Sequence, residues 1–206
     1  GRAGQVRAFA VHDPLDRPIS GAVGLLPGHA AVVELATASG YERLTEGERD
    51  PEQTSTYGTG ELIRACLDFS PTRIVVAVGG SATNDGGMGL VRALGGRFLD
   101  VAGRELRGVG ADLAAVAAIE LDDLDPRLVD VAIEVACDVR NPLCGAHGAA
   151  RVFGPQKGAS PEAVERLDAG LASLAAVMLS TTGVDVLGLP RAALAHHRAR
   201  ERHADH

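Results

Sequence analysis

Apolar positions recur along this chain in two rhythms, an alternation near the start and a helical spacing near the end, with glycine-rich breaks between them. Val6, Ala8 and Ala10 alternate with Arg7 and Phe9, and turn formers Asp13, Pro14, Asp16 and Pro18 precede a second extended stretch over residues 19–26. This pattern predicts a β-hairpin. An apolar run over residues 30–36 follows Pro27 and Gly28, and holds one acid, Glu34, which needs a partner if it is buried. Residues 42–53 read as a charged loop. Thr59 is placed to cap a helix over residues 60–68, with Leu62, Ile63 and Leu67 on one face and Glu61 in the first turn.

Ile74, Val75, Val76, Ala77 and Val78 form a continuous apolar run of the kind found in strands buried on both faces. It ends in glycine, and beyond the glycine loop Met88, Leu90, Val91 and Leu94 fall at helical spacing until Gly95 and Gly96 stop the helix. Residues 97–99 read as extended, 113–119 are ambiguous, and 129–137 predict a second strong strand. Ser160 is placed to cap a long helix with Pro161 at its first position and Val164, Leu167, Leu171, Leu174 and Met178 as its buried stripe. Strand, glycine loop and helix in that order predict an α/β fold, a mixed sheet with flanking helices.

Composition agrees with that class. Of 206 residues 46% are hydrophobic but only 3% aromatic, with 26 Gly and no Trp, so the core is built from Val, Leu, Ile and Ala between glycine turns. A formal net charge of -7 with dispersed basic residues argues against nucleic acid as a partner. The sequence presents no bilayer-length apolar stretch and no leader pattern, which predicts a cytoplasmic location and no membrane partner. Cys66, Cys137 and Cys144 lack paired spacing and read as free thiols. The chain starts at Gly1, already in a strand-like run, which predicts that an upstream part is missing. Residues 191–206 hold four of the seven histidines and no Gly, Val or Ile, so the fold is expected to occupy residues 1–187 and a separate tail 188–206. Three readings of the tail stand open: a shifted or truncated frame, a solvated extension, or a metal-binding histidine cluster.

Candidate chemistry concentrates in four stretches. Residues 79–87 run Gly79, Gly80, Ser81, Ala82, Thr83, Asn84, Asp85, Gly86, Gly87 between a strand and a helix. Glycines let a backbone approach a ligand, and free N–H groups at a helix start attract phosphate or carboxylate. Ser81 and Thr83 add hydroxyl donors, while Asn84 and Asp85 suit a substrate hydroxyl or a magnesium ion. The stretch matches neither the P-loop nor the dinucleotide fingerprint. Asp138 and Asn141 follow the second strand, where they either face the same crevice or form a turn cap. Lys157, the sole lysine, sits on a glycine-flanked loop before the long helix and reads as a mobile charge for phosphate or carboxylate, or as an ordinary surface lysine. Thr56, Tyr57 and Gly58 belong to a hydroxyl and glycine cluster, residues 54–60, that is either a ligand loop or a plain helix cap.

Taken together, residues 31–40, 56–63, 79–89, 97–100 and 135–160 resemble the bacterial type 1 glycerate kinase family over approximately residues 11–186. The resemblance implies transfer of the ATP γ-phosphoryl group to D-glycerate, commonly giving 2-phosphoglycerate, with magnesium. It also implies two α/β domains, of which this chain would supply mainly the second, inserted one. Family segments reading Asp-Ser-Phe-Lys and Thr-Gly-Glu-Gly, thought to line the active cleft, have no counterpart here, so a noncatalytic anion-binding fragment is the alternative. On this resemblance Gly79, Gly80 and Ser81 bind oxyanions, Asn84 and Asp85 orient substrate or hold metal, and Lys157 neutralises phosphate or carboxylate. Thr56, Tyr57, Gly58, Thr83, Asp138 and Asn141 complete the expected substrate site. The implied partners are glycerate and a nucleotide, and a homodimer is compatible with it.

Overall fold

The computed structural model describes residues 4–187 of the chain. β1 (Gln5–His12) and β2 (Pro18–Leu26) form the expected antiparallel hairpin. Asp13 closes its turn, with Oδ1 accepting from the amides of Leu15 and Arg17 and Oδ2 from Arg17 Nε at 2.6 Å. β3 (Ala30–Glu34) pairs antiparallel with β2. The chain then passes through α1 (Ala36–Ser39), two short 3₁₀ turns and α2 (Tyr57–Leu67) before β4 (Arg73–Ala77) joins β3 in parallel. α3 (Met88–Ala93), β5 (Arg97–Leu99) and β6 (Ala118–Glu120) follow, β5 and β6 forming a separate two-stranded ladder. β7 (Ala132–Ala136) returns to pair in parallel with β4, and α4 (Ala149–Phe153) and α5 (Pro161–Thr182) end the described chain. The main sheet is therefore mixed, in the order β1-β2-β3-β4-β7.

Two cores hold these elements. In the first, one sheet face supplies Val11, Val23, Val33, Ile74 and Val76, against which α2 packs Leu62, Ile63, Cys66 and Leu67. Burying each Leu or Ile of this set stabilises the fold by about 1.5–3 kcal/mol. The second core joins Met88, Phe98, Leu113 and Val116 to Leu167, Leu171 and Leu174 of α5. Ser160 caps α5 as predicted, its Oγ accepting from the Ala163 amide at 3.2 Å.

The structure corrects several sequence readings. α2 starts three residues before its expected first residue, at Tyr57, so Thr59 lies inside the helix and its hydroxyl meets Ser39 Oγ at 2.7 Å instead of capping. Glu61 is correspondingly past the first turn and binds His12, accepting from its backbone amide at 2.8 Å. β4 is fully buried on one face only, at Ile74 and Val76, while Val75 and Ala77 are half-buried among the described residues. The ambiguous stretch splits into a 3₁₀ turn, Gly110–Ala115, and β6. β7 is shorter than expected because Pro126 opens a 3₁₀ turn that Asp125 caps. Glu34 is exposed and needs no buried partner. The tail readings lie outside the described residues.

Candidate functional site

β3, β4 and β7 are parallel and in register, Glu34 opposite Ala77 and Ala77 opposite Ala136, so the chain leaves all three strands at one edge. In parallel α/β sheets ligands gather outside that carboxyl edge. α1, the glycine loop of residues 79–87 and the segment carrying Asp138 all start there. The loop is stitched to the end of α1: Ala82 N donates to Ser39 O at 3.0 Å and Tyr41 N to Gly80 O at 3.0 Å.

Asp85 is the anchor of the loop. It is 1% exposed, and its Oδ2 accepts from Thr56 N at 2.8 Å, Thr56 Oγ1 at 2.7 Å and Gly89 N at 3.2 Å, while Oδ1 accepts from Gly87 N at 3.1 Å. Burial pushes this carboxyl above the usual carboxylate range against those four donors, which pull it down. The arrangement overturns one sequence expectation. The amides at the start of α3 were reserved for an external anion, but the protein's own carboxylate occupies them. Both Asp85 oxygens are sealed and committed, so the geometry makes Asp85 a positioning residue and does not support it as a magnesium ligand.

Donors that remain free lie elsewhere on the loop. Gly79 and Gly80 are exposed, and their amides have no acceptor among the described residues. Gly80 has φ +70, a left-handed conformation that glycine adopts without strain. Ser81 Oγ accepts from Thr83 N at 3.1 Å and lies 3.0 Å from Thr83 Oγ1. Asn84 is buried with no partner for Nδ2 among the described residues. Lys157 reaches the loop from the turn before α5, its Nζ donating to Thr83 O at 2.6 Å. Burial holds the ammonium's pKa down at about 8, with the charge of Asp85 pulling it back up.

Ser81, Thr83, Asn84, Asp85, Lys157 and Thr56 are thus brought together. Among these Thr56 acts inward, its Oγ1 accepting from Leu90 N at 2.9 Å while it donates to Asp85. Gly58, Tyr57 and Asn141 make other contacts. Gly58 abuts the His12 carbonyl so closely that a Cβ would fall 1.8 Å from its oxygen, which makes the glycine a packing requirement. Tyr57 lines a cleft of about 550 Å³ beside the hairpin, with His12, Arg92 and Arg107. Asn141 donates to His147 O at 3.1 Å, and Asp138 is exposed two residues beyond the end of β7.

Comparison with known proteins places this architecture. The model of the glycerate kinase family matches residues 2–195. The chain belongs to the glycerate kinase family. It is 46% identical to the glycerate kinase of Haemophilus influenzae over 175 residues, covering 84% of this chain and 46% of that protein. It is 44% identical to the glycerate 2-kinase of Escherichia coli K12 over 193 residues, covering 93% of this chain and 51% of that protein. A crystal structure of a Salmonella typhimurium LT2 protein assigned as glycerate kinase 2 superposes with TM-score 0.88 at 46% identity, covering 91% of this chain and 50% of that one. The chain therefore spans about half the length of these relatives.

Within this member of the glycerate kinase family, one residue of the site escaped the sequence reading. Arg49 stacks over Tyr41, its guanidinium carbon 5.5 Å from the ring centroid, and its Nε is buried without an acceptor among the described residues. Its carbonyl packs on Gly158, next to Lys157, and a Cβ there would fall 2.0 Å from the Arg49 oxygen. In the sequence Arg49 is masked by Glu46, Glu48, Asp50 and Glu52 on either side, which make it look like part of a solvated loop.

Magnesium, which the family resemblance implies, can be tested on the donors present. Among the described residues there is no group of three His, Cys, Asp or Glu side chains able to hold a metal. Nucleotide-bound magnesium needs only one or two carboxylates besides water and phosphate oxygens. With Asp85 sealed, Glu34 and Asp138 are exposed carboxylates at or just beyond the carboxyl ends of the parallel strands.

Proposed function

We propose that this chain carries phosphate- and substrate-binding elements of an ATP-dependent kinase acting on D-glycerate, with 2-phosphoglycerate as product. The observation that carries the proposal is the loop of residues 79–87, held rigid by Asp85, with free glycine amides on its outer side and Lys157 at 2.6 Å from its Thr83 carbonyl. The names of the relatives supply the substrate. Phosphoryl transfer asks little covalent chemistry of the protein and depends on positioning and charge. In the proposed reaction a glycerate hydroxyl oxygen bonds to the γ-phosphorus, the bridging P–O bond breaks, ADP leaves with the electron pair, and the hydroxyl proton passes to solvent.

In this reading Gly79, Gly80 and Ser81 offer donors to phosphoryl oxygens, Lys157 neutralises them, and Asn84 orients the substrate. Asp85 and Thr56 hold the loop. Magnesium bound by Asp138 would screen the phosphates of the nucleotide. A second reading, an anion-binding chain without turnover, is favoured by the half-length match to the relatives.

ADP release measured with D-glycerate and Mg-ATP tests the choice. Steady glycerate-dependent release is the expected result for the kinase. Glycerate binding by calorimetry with no release supports the second reading. Asp138→Asn should lower turnover and raise the magnesium requirement, whereas unchanged magnesium dependence removes Asp138 from the metal role.

A further inference from the structure

Three buried side-chain nitrogens lack an acceptor among the described residues: Arg49 Nε, Asn84 Nδ2 and Arg151 Nε. Arg151 has other outlets, since its terminal nitrogens pair with Glu165 and its Nε lies 3.5 Å from Asp168. Asn84 belongs to the glycine loop, and Arg49 stacks on Tyr41, whose amide donates to the loop at Gly80 O. A buried donor left unmet costs about 1–3 kcal/mol, so native proteins rarely leave one unless something else supplies the acceptor.

Arg49 combines its buried, unmet nitrogen with the lack of a carboxylate within ion-pair distance, a lack it shares among the described residues with Arg7, Arg43, Arg64, Arg107 and Arg140, none of which has a buried unmet nitrogen. Arg17, Arg92, Arg97, Arg104, Arg127, Arg151 and Arg166 all have a carboxylate within ion-pair distance. Arg49 has none among the described residues, although acids flank it in sequence. Glu48 turns instead to Arg17 and Thr45, Asp50 accepts from the Glu52 amide, and Glu52 pairs with Arg166. The guanidinium is fixed on its remaining side by the Tyr41 ring, and Tyr41 is itself tied to Gly80 through its amide. A flat, permanently charged fork is thus held in place beside the loop with its charge unanswered.

Lys157 and Arg49 approach the loop from neighbouring segments, Lys157 at Thr83 and Arg49 through Tyr41 at Gly80. Two separate cations suit a reaction with two separate anionic groups. A planar guanidinium fits a carboxylate in bidentate fashion, while an ammonium serves as a point charge for a phosphoryl group in motion.

We propose that Arg49 is the specificity residue of this site, gripping the carboxylate of a small 2-hydroxy acid with its guanidinium plane while the amide of Asn84 donates to the same molecule. This rests on the phosphoryl-transfer reading, which leaves Lys157 to the transferred group. The carboxylate is thereby what admits a substrate, and neutral polyols are refused.

Calorimetric titration of the chain at pH 7.5 with D-glycerate, D-lactate, glycerol and inorganic phosphate tests it. Both acids should bind and glycerol should not. Arg49→Lys keeps the charge but loses the fork, and should weaken both acids about tenfold or more while leaving phosphate within about twofold. Lys157→Gln should reverse that selectivity. Tyr41→Leu removes the ring that orients the guanidinium without touching the charge, and should weaken lactate as well; it carries the comparison if Arg49→Lys does not fold. Equal acid binding by wild type and both Arg49→Lys and Tyr41→Leu overturns the proposal. So does equal loss of phosphate and acid, glycerol binding as tight as glycerate, or failure of wild type to bind either acid. Arg49-dependent acid binding without glycerate-dependent ADP release refutes the kinase reading and supports this one. Turnover by Arg49→Lys at an unchanged KM for glycerate does the reverse.

Discussion

Lys157 has a pH signature that follows from its setting. Its folded pKa of about 8 lies below the usual 10.5, so above pH 8 the folded protein releases a proton that the unfolded chain keeps. The charge available to an anion therefore fades as pH rises through 8, while stability rises from pH 8 towards 10.5 because the unfolded state binds more protons there. Sulfate, whose own charge is constant in this range, should bind about eightfold more weakly at pH 9 than at pH 7.5 if a single group titrating near 8 governs binding. Lys157→Arg should flatten that profile, since a guanidinium stays charged. A steep profile persisting in Lys157→Arg would assign it to another group. Asp85 makes a different prediction. Asp85→Ala strands the amides of Thr56, Gly87 and Gly89 in a buried place, and should cost at least about 3 kcal/mol in urea denaturation. Asp85→Asn keeps one accepting oxygen and should cost less.

Glycines decide the geometry at the scale of elements. α2 and α3 cross where Gly60 and Gly89 let backbones touch: a Cβ on Gly60 would sit 2.4 Å from Leu90 O, and one on Gly89 would sit 2.0 Å from Ser55 Oγ and 2.7 Å from Tyr57 N. Helix propensity alone favours alanine over glycine by about 1 kcal/mol. Here the contact reverses the sign, and Gly60→Ala and Gly89→Ala should each destabilise by about 1–3 kcal/mol. Gly47, whose Cβ would meet nothing within 4 Å, is the control and should tolerate alanine. A close backbone approach also explains why the start of α2 was misread. Gly58 looks like a loop residue in the sequence, and only its close approach to the His12 carbonyl shows why a glycine stands inside the first turn of the helix.

At the scale of the whole molecule, the second core forms the floor of the glycine loop. A Cβ on Gly86 would meet Leu174 at 2.6 Å, Leu113 at 3.3 Å and Leu171 at 3.4 Å, so α5 and the turn at Leu113 lie directly beneath the loop. Leu174→Ala should cost about 2–5 kcal/mol of stability and also weaken sulfate binding. Ile74→Ala, at the opposite end of β4 in the first core, should cost a similar amount while leaving sulfate affinity unchanged. Equal effects on affinity would mean that the two cores act on the site as one body. No helix among the described residues is long and apolar enough to cross a membrane.

Local periodicity and turn chemistry were enough to predict the hairpin, β4, α3, the capped α5 and the mixed α/β class, because each depends on residues close in sequence. The glycine loop and Lys157 were also legible, as unusual residue types at a strand end and before a helix. Long-range placement was not. That Asp85 turns inward to bind Thr56, 29 residues earlier, depends on which amides the fold brings to its carboxylate. Tyr57 and Gly58 face the hairpin, and Arg49 joins Lys157, for the same reason: a sequence states which groups can bond, whereas burial and backbone approach select the partners they have.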